Sequence, residues 1–183
     1  MTDAGALVVG YGNSLRGDDG IGWHAARLLA SDPRLAGARV LTQHQLVPEL
    51  AVDVSRSTLV VLVDAATDGD PGAVSVRRVQ PRRTDPATWS HHLDPESLAG
   101  LAEDLYGAVP PIVLVSVAAG SFAGGDRLSG ALERALPEVV EVVADVVSGQ
   151  YRAWQAPVTL PGTGVVRSRA GLGAEAGRGR EHA

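Results

Sequence analysis

The chain has 183 residues, 45% of them hydrophobic, and a formal net charge of −5. That is enough apolar residue for one globular core, and it lacks the basic stripe of a nucleic-acid binder. No cysteine is present, which excludes disulfides, thiolate catalysis and cysteine-ligated zinc.

The start, MTDAGALVVG, has no basic n-region. No run approaches the roughly 20 apolar residues of a membrane span. A soluble, cytoplasmic protein with no membrane association is the expectation. Aromatics are only 4% of the chain, so the core must be Val, Leu and Ala, which suits a buried parallel sheet.

In chain order, Ala6–Val9 reads as a first strand. A glycine-rich turn follows, and Gly20 to Ser31 has helical spacing, with Ile21, Ala25, Leu28 and Leu29 on one face. Arg39 to Thr42 is a second strand. Val47 to Val54 is a short helix with Pro48 in its first turn. Thr58 to Val63 is the most apolar strand and ends in Asp64. Ala73 to Val79 alternates like an edge strand. Asp94 to Tyr106 is a helix capped by Asp94, with Pro95 at its first position and Leu98, Leu101, Ala102 and Leu105 inward. Pro111 to Val117 is another buried strand. Ser129 to Val147 is the longest helix, with Leu132, Leu136, Val139, Val140, Val143 and Val147 inward.

This alternation predicts an α/β fold: a single-domain three-layer sandwich with a mostly parallel twisted sheet of about five strands and helices on both faces. The domain is expected over 1–154. Residues 155–183, rich in Gly, Arg and Ala, read as a flexible C-terminal tail.

The turn Gly10-Tyr11-Gly12-Asn13-Ser14-Leu15-Arg16-Gly17-Asp18-Asp19-Gly20 carries the chemistry. It opens like the dinucleotide fingerprint, but Leu15 stands where the third glycine belongs. Two adjacent carboxylates would also repel a phosphate at a helix start. One acid is explained as a turn organiser or helix cap; the second is better used facing a cleft.

In open parallel sheets, ligands bind beyond the carboxyl ends of the strands. Asp64 stands at such an end, and Ser90-His91-His92-Leu93 adds imidazoles. One acid of the pair, Asp64 and one histidine make an N/O donor set without sulfur, suited to nickel, zinc or manganese. No G-x-S-x-G elbow appears, which disfavours acyl-enzyme chemistry. His24 in the first helix reads as a packing or surface residue, His44 as a surface residue, and His182 as part of the tail.

Gly12-Asn13-Ser14-Leu15-Arg16-Gly17-Asp18-Asp19-Gly20-Ile21-Gly22 resembles the G-N-x-L-x-x-D-[D/E]-x-x-G signature of the hydrogenase maturation proteases. These endopeptidases trim the large subunit of nickel–iron hydrogenases. Leu62-Val63-Asp64-Ala65 looks like the family's strand-end aspartate and Ser90-His91-His92-Leu93 like its histidine. Gly120 with Leu128-Ser129 looks like its C-terminal part. The resemblance covers about residues 6 to 148. Thr42-Gln43-His44-Gln45-Leu46 departs from the family's glycine/threonine-rich loop, which bears on precursor choice.

The resemblance implies removal of the C-terminal extension of a hydrogenase large-subunit precursor after nickel insertion. Its metal-contacting triad falls on Asp19, Asp64 and His91, with His92 as the alternative ring. Nickel would be supplied by the precursor, and no organic cofactor is implied. A monomer is the default. Two other readings compete: a non-catalytic nickel-checkpoint chaperone using the same triad, and a nucleotide-binding α/β module.

Overall fold

Runs of Val and Leu too apolar for any exposed face form the middle of a sheet. The computed structural model describes residues 5–82, 93–107 and 109–151. In it, β1 (Ala6–Tyr11), β2 (Arg39–Gln43), β3 (Leu59–Ala66), β4 (Val74–Val79) and β5 (Ile112–Ala118) form one sheet in the order β2-β1-β3-β5-β4. Four strands are parallel; β4 runs antiparallel at the edge beside β5. The edge assignment read from alternation holds, and Arg77 and Arg78 on β4 are exposed, as suits an edge strand.

Helices cover both faces. Helices α1 (Ile21–Leu29) and α4 (Gly130–Val147) share a core with Val8, Val61, Val63, Val113 and Val115. On the other face, α2 (Leu50–Arg56) and α3 (Pro95–Tyr106) pack with Leu7, Val9, Val60, Leu62 and Leu114. The expected three-layer α/β architecture is therefore the observed one. The expected tail, 155–183, lies outside the described residues.

The caps follow from short-range chemistry. The Asp94 carboxylate accepts from the Ser97 amide at 2.8 Å, Pro95 opens α3, and Gly107 ends it at φ +76°. The Ser129 hydroxyl caps α4 by accepting from the Leu132 amide. Pro137 interrupts α4 on its exposed side, where water can reach the carbonyl that loses its partner.

Four expectations need correction. Leu28 is 52% exposed and Leu105 58% exposed, because the inward arcs of α1 and α3 centre on Ile21–Ala25–Leu29 and Leu98–Ala102. The second helix begins at Leu50, and Pro48 belongs to the turn before it. β1 runs on through Gly10 and Tyr11. β3 runs to Ala66, so Asp64 lies inside the strand rather than after it.

The first glycine pair is a packing device. A Cβ on Gly10 would lie 1.9 Å from the Gly22 carbonyl oxygen. One on Gly22 would lie 2.2 Å from that of Val63 and 2.5 Å from that of Tyr11. Helix α1 thus rests directly on the backbone of β1 and β3. Gly22→Ala is expected to cost about 3 kcal/mol or more, since only backbone can give way. Gly124→Ala, with nothing within 4 Å of the added carbon, should stay within about 0.5 kcal/mol. Urea unfolding of the two variants checks the contrast.

Candidate active site

The chain leaves β1 in one direction through α1 to β2 and reaches β3 on the other side of β1. The carboxyl ends of β1 and β3 therefore form the switch point at which open α/β sheets bind ligands. The turn after β1 hangs over this point.

Its first residue, Gly12, has φ +129°, and a Cβ there would sit 1.9 Å from the carbonyl oxygen of Asp19. Glycine is what lets the strand end fold against the acid pair. The Asn13 side chain accepts from the Leu15 amide at 2.9 Å, an Asx turn. A 3₁₀ turn, Gly17–Gly20, then carries both acids.

The two acids have opposite surroundings. Asp18 is 0% exposed. Its Oδ2 accepts from the amides of Gly120 at 2.7 Å and Ser121 at 2.8 Å, and its Oδ1 from the amide of Ser129 at 2.6 Å. Burial pushes this carboxyl up, but the amides of Ser129, Gly120 and Ser121 and the Ser129 hydroxyl outweigh it and hold the group below the usual carboxylate range. Asp18 does not cap α1; Gly20 occupies that position. It ties the turn after β1 to the loop after β5 and to the start of α4.

Asp19 is half-buried, and its Oδ2 accepts from the Asn13 amide at 3.0 Å. Its charge reaches Asp64 on β3. Burial raises the Asp64 carboxyl to about 6; hydrogen bonds from the Tyr11 hydroxyl and the Ala65 amide oppose the rise, and the charge of Asp19 adds to it. The Ala65 bond is 2.8 Å. Burial, and then the adjacent Asp64, push the Tyr11 phenol well above its ordinary value, so it remains a hydrogen-bond donor. Asp64 is thus held by the Tyr11 hydroxyl and the Ala65 amide, with Asp19 near enough for its charge to add a smaller push.

The same loop cannot cradle a phosphate. The amides of Gly12, Asn13, Leu15, Arg16, Gly17, Asp18 and Asp19 are all bonded to acceptors of the protein itself. A phosphate loop needs those groups free. The dinucleotide reading therefore lacks its donors.

His91 and His92 lie outside the described residues. Among the described residues no group of three His, Asp or Glu stands within metal-ligating reach. His44 is exposed, as expected. His24 is half-buried with its Nε2 buried and without a hydrogen-bond partner, and burial lowers its pKa. A concavity of about 460 Å³ lies against the loop after β5, lined by Gly17, Ser121, Asp126, Arg127 and Glu133 among others; neither Asp19 nor Asp64 lines it.

Tyr11 was not singled out from sequence. Its signal was parity: Leu7, Val9 and Tyr11 share the face of β1 that Leu62 and Asp64 share on β3.

No protein-family model and no curated protein matches the chain. Solved structures do. A nickel–iron hydrogenase maturation protease HycI from Thermococcus kodakarensis superposes with a TM-score of 0.62 at 22% identity, over 79% of this chain and 92% of that one. A hydrogenase 2 maturation peptidase from a Thaumarchaeota archaeon gives 0.61 at 25% identity, over 80% and 99%. The hydrogenase maturating endopeptidase HybD from E. coli gives 0.61 at 23% identity, over 80% and 94%. The chain has the fold of the hydrogenase maturation proteases, in agreement with the resemblance read from Gly12–Gly22.

Asp18 has a folded pKa below its unfolded value of about 3.9, so its stabilisation is present above that pH and is lost as pH falls through the folded value. Asp18→Asn should lower stability at pH 7 by about 2–3 kcal/mol and blunt the wild type's loss of stability as pH falls below about 4. Urea unfolding at pH 7 and in acid reads both effects. Asp64 has the opposite sign: its contribution is present below about pH 4 and is lost as pH rises through about 6. Tyr11→Phe removes a bond that favours the ionised form. It should raise the Asp64 midpoint above about 6 in a carboxyl ¹³C NMR titration.

Proposed function

We propose that the chain is an endopeptidase of hydrogenase maturation, removing the C-terminal extension of a nickel–iron hydrogenase large-subunit precursor once nickel is in place. The observation that carries this reading is the convergence of Asp19 and Asp64 at the β1/β3 switch point, in a fold whose solved neighbours are hydrogenase maturation endopeptidases. On this reading the precursor's nickel is part of the substrate. Asp19 in the turn after β1 and Asp64 near the carboxyl end of β3 supply hard oxygen donors, and His91 supplies the nitrogen, with His92 as the alternative ring.

The electrostatics favour such a role. Two carboxylates close enough to interact repel one another, and a divalent ion between them removes that cost. A metal-bearing precursor would dock where a bare one would be less welcome, which makes the site selective for the loaded subunit. A carboxylate kept ionised by the arriving cation can also accept a proton from water, as amide hydrolysis requires. Neither step calls for a cysteine or an acyl-enzyme.

Intact-mass analysis of a nickel-loaded precursor, beside a nickel-free control, tests the reading. Loss of a short C-terminal peptide from the loaded sample alone is expected. Asp19→Ala, Asp64→Ala and His91→Ala should each slow that loss by about 100-fold or more while remaining folded. His92→Ala should act more weakly. A stable complex with the loaded precursor and no change in mass would replace the endopeptidase with a checkpoint chaperone that uses the same residues.

A further inference from the structure

The described residues bury three polar side chains: Asp18, Ser97 and Ser116. Two are accounted for. Asp18 binds three amides, and Ser97 accepts from the Arg82 guanidinium at 3.0 Å beside the cap of α3. Ser116 is 9% exposed, on a strand whose other members are all Val, Leu, Ile or Ala, and its hydroxyl makes no hydrogen bond among the described residues. The hydroxyl keeps contact with solvent, since His24 Nε2 is the one fully buried polar side-chain atom without a partner among the described residues, and it adds nothing to folding that the alanine or valine of its neighbours would not. Its place in the sheet supplies the reason.

Ser116 is the register partner of Asp64 on β3 and of Ser75 on β4. Two residues earlier, Leu62 and Leu114 both belong to the core on the α2/α3 side, so Asp64 and Ser116 share that face. Tyr11 donates to Asp64 from the far side. Tyr11, Asp64, Ser116 and Ser75 thus make one polar row across four strands, directly above the apolar row Val9–Leu62–Leu114. The row has one ionisable carboxyl and otherwise hydroxyls. The hydroxyls beside that carboxyl can each donate to a C=O and accept from an N–H, which suits the main chain of a peptide.

We propose that Ser116 is a substrate-binding residue, its hydroxyl bonding the main chain of the precursor segment beside the scissile bond. The proposal rests on the endopeptidase reading for the identity of that segment. Strands are about 4.8 Å apart and an extended peptide advances about 3.3 Å per residue, so the stretch from Asp64 to Ser75 accommodates about three residues of substrate laid across the strand ends.

The test uses the full chain, the nickel-loaded large-subunit precursor, and three proteins: wild type, Ser116→Ala and Ser116→Thr. Ser116→Ala should raise KM about fivefold, the worth of one neutral hydrogen bond, with kcat within about twofold. Ser116→Thr, which keeps the hydroxyl and suits a strand, should restore KM. The melting temperature of Ser116→Ala should equal or exceed that of wild type, because no bond inside the protein is lost.

An unchanged KM in Ser116→Ala overturns the proposal. So does a fall in kcat at constant KM, which would put the hydroxyl in the chemistry, or a lower melting temperature, which would put its partner inside the protein. If the wild type shortens no precursor, the endopeptidase reading fails, and calorimetric binding of the same precursor decides Ser116 separately. A fivefold weaker complex with Ser116→Ala sustains the assignment. Equal affinity, or no binding by either protein, ends it.

Discussion

A carboxylate with no exposed surface must be surrounded by donors, and Asp18 has three amides around it. The donors come from more than a hundred residues further along the chain. Ser129 is the residue that caps α4, so the positive end of that helix also faces the charge. One side chain therefore fastens the turn after β1, the loop after β5 and the start of α4. The 3₁₀ turn that carries Asp18 also carries Asp19, and its position is fixed by the same bonds. Where Asp19 stands relative to Asp64 depends on a residue that itself faces no ligand.

This arrangement separates two acids that look equivalent in sequence. Asp18 is held below the usual carboxylate range, since the amides outweigh its burial. Asp19 has one amide, from Asn13, and its next influence is on a neighbouring carboxyl. The glycines serve both placements. Gly12 lets the backbone of Asp19 approach to a distance no side chain would allow, and Gly10 and Gly22 let α1 lie on the strands beneath. A loop that resembles a phosphate cradle in composition instead has its amides taken up by the protein's own acceptors, mostly backbone carbonyls.

Much of this was legible in the sequence. Apolar runs rich in β-branched residues marked all five strands, Asp94-Pro95 marked the start of α3, and the acid pair marked the turn that matters. The Gly12–Gly22 motif identified the fold that the structural neighbours share. What failed did so for physical reasons. Leu28 and Leu105 fit a helical stripe, but the width of that stripe depends on what it packs against, and at both places the neighbour is solvent. The first and third strands read short, ending at Val9 and Val63, because Gly10 and Asp64 are poor strand formers that break the apolar run although each pairs with a neighbouring strand. The role of Asp18 needed a contact across more than a hundred residues, which local pattern cannot carry. Tyr11 and Ser116 were hidden because their meaning lies in register between strands.

At Asp64, burial and the charge of Asp19 outweigh the hydrogen bonds that the described residues supply. Among the described residues, the groups acting on Asp64 are the Tyr11 hydroxyl, the Ala65 amide and the negative charge of Asp19; no cationic side chain figures with them. Arg77, whose charge reaches Tyr11, is itself paired with Glu96 at 2.5 Å. A domain that surrounds one carboxylate with three amides is capable of satisfying a second, and here it leaves the second beside a like charge. Strain of this kind persists where function needs it. A proton relieves it near pH 6, and a positive centre carried in by a partner relieves it at neutral pH. Under the proposed function, the second route makes binding at the site conditional on what the partner carries, as a maturation checkpoint requires.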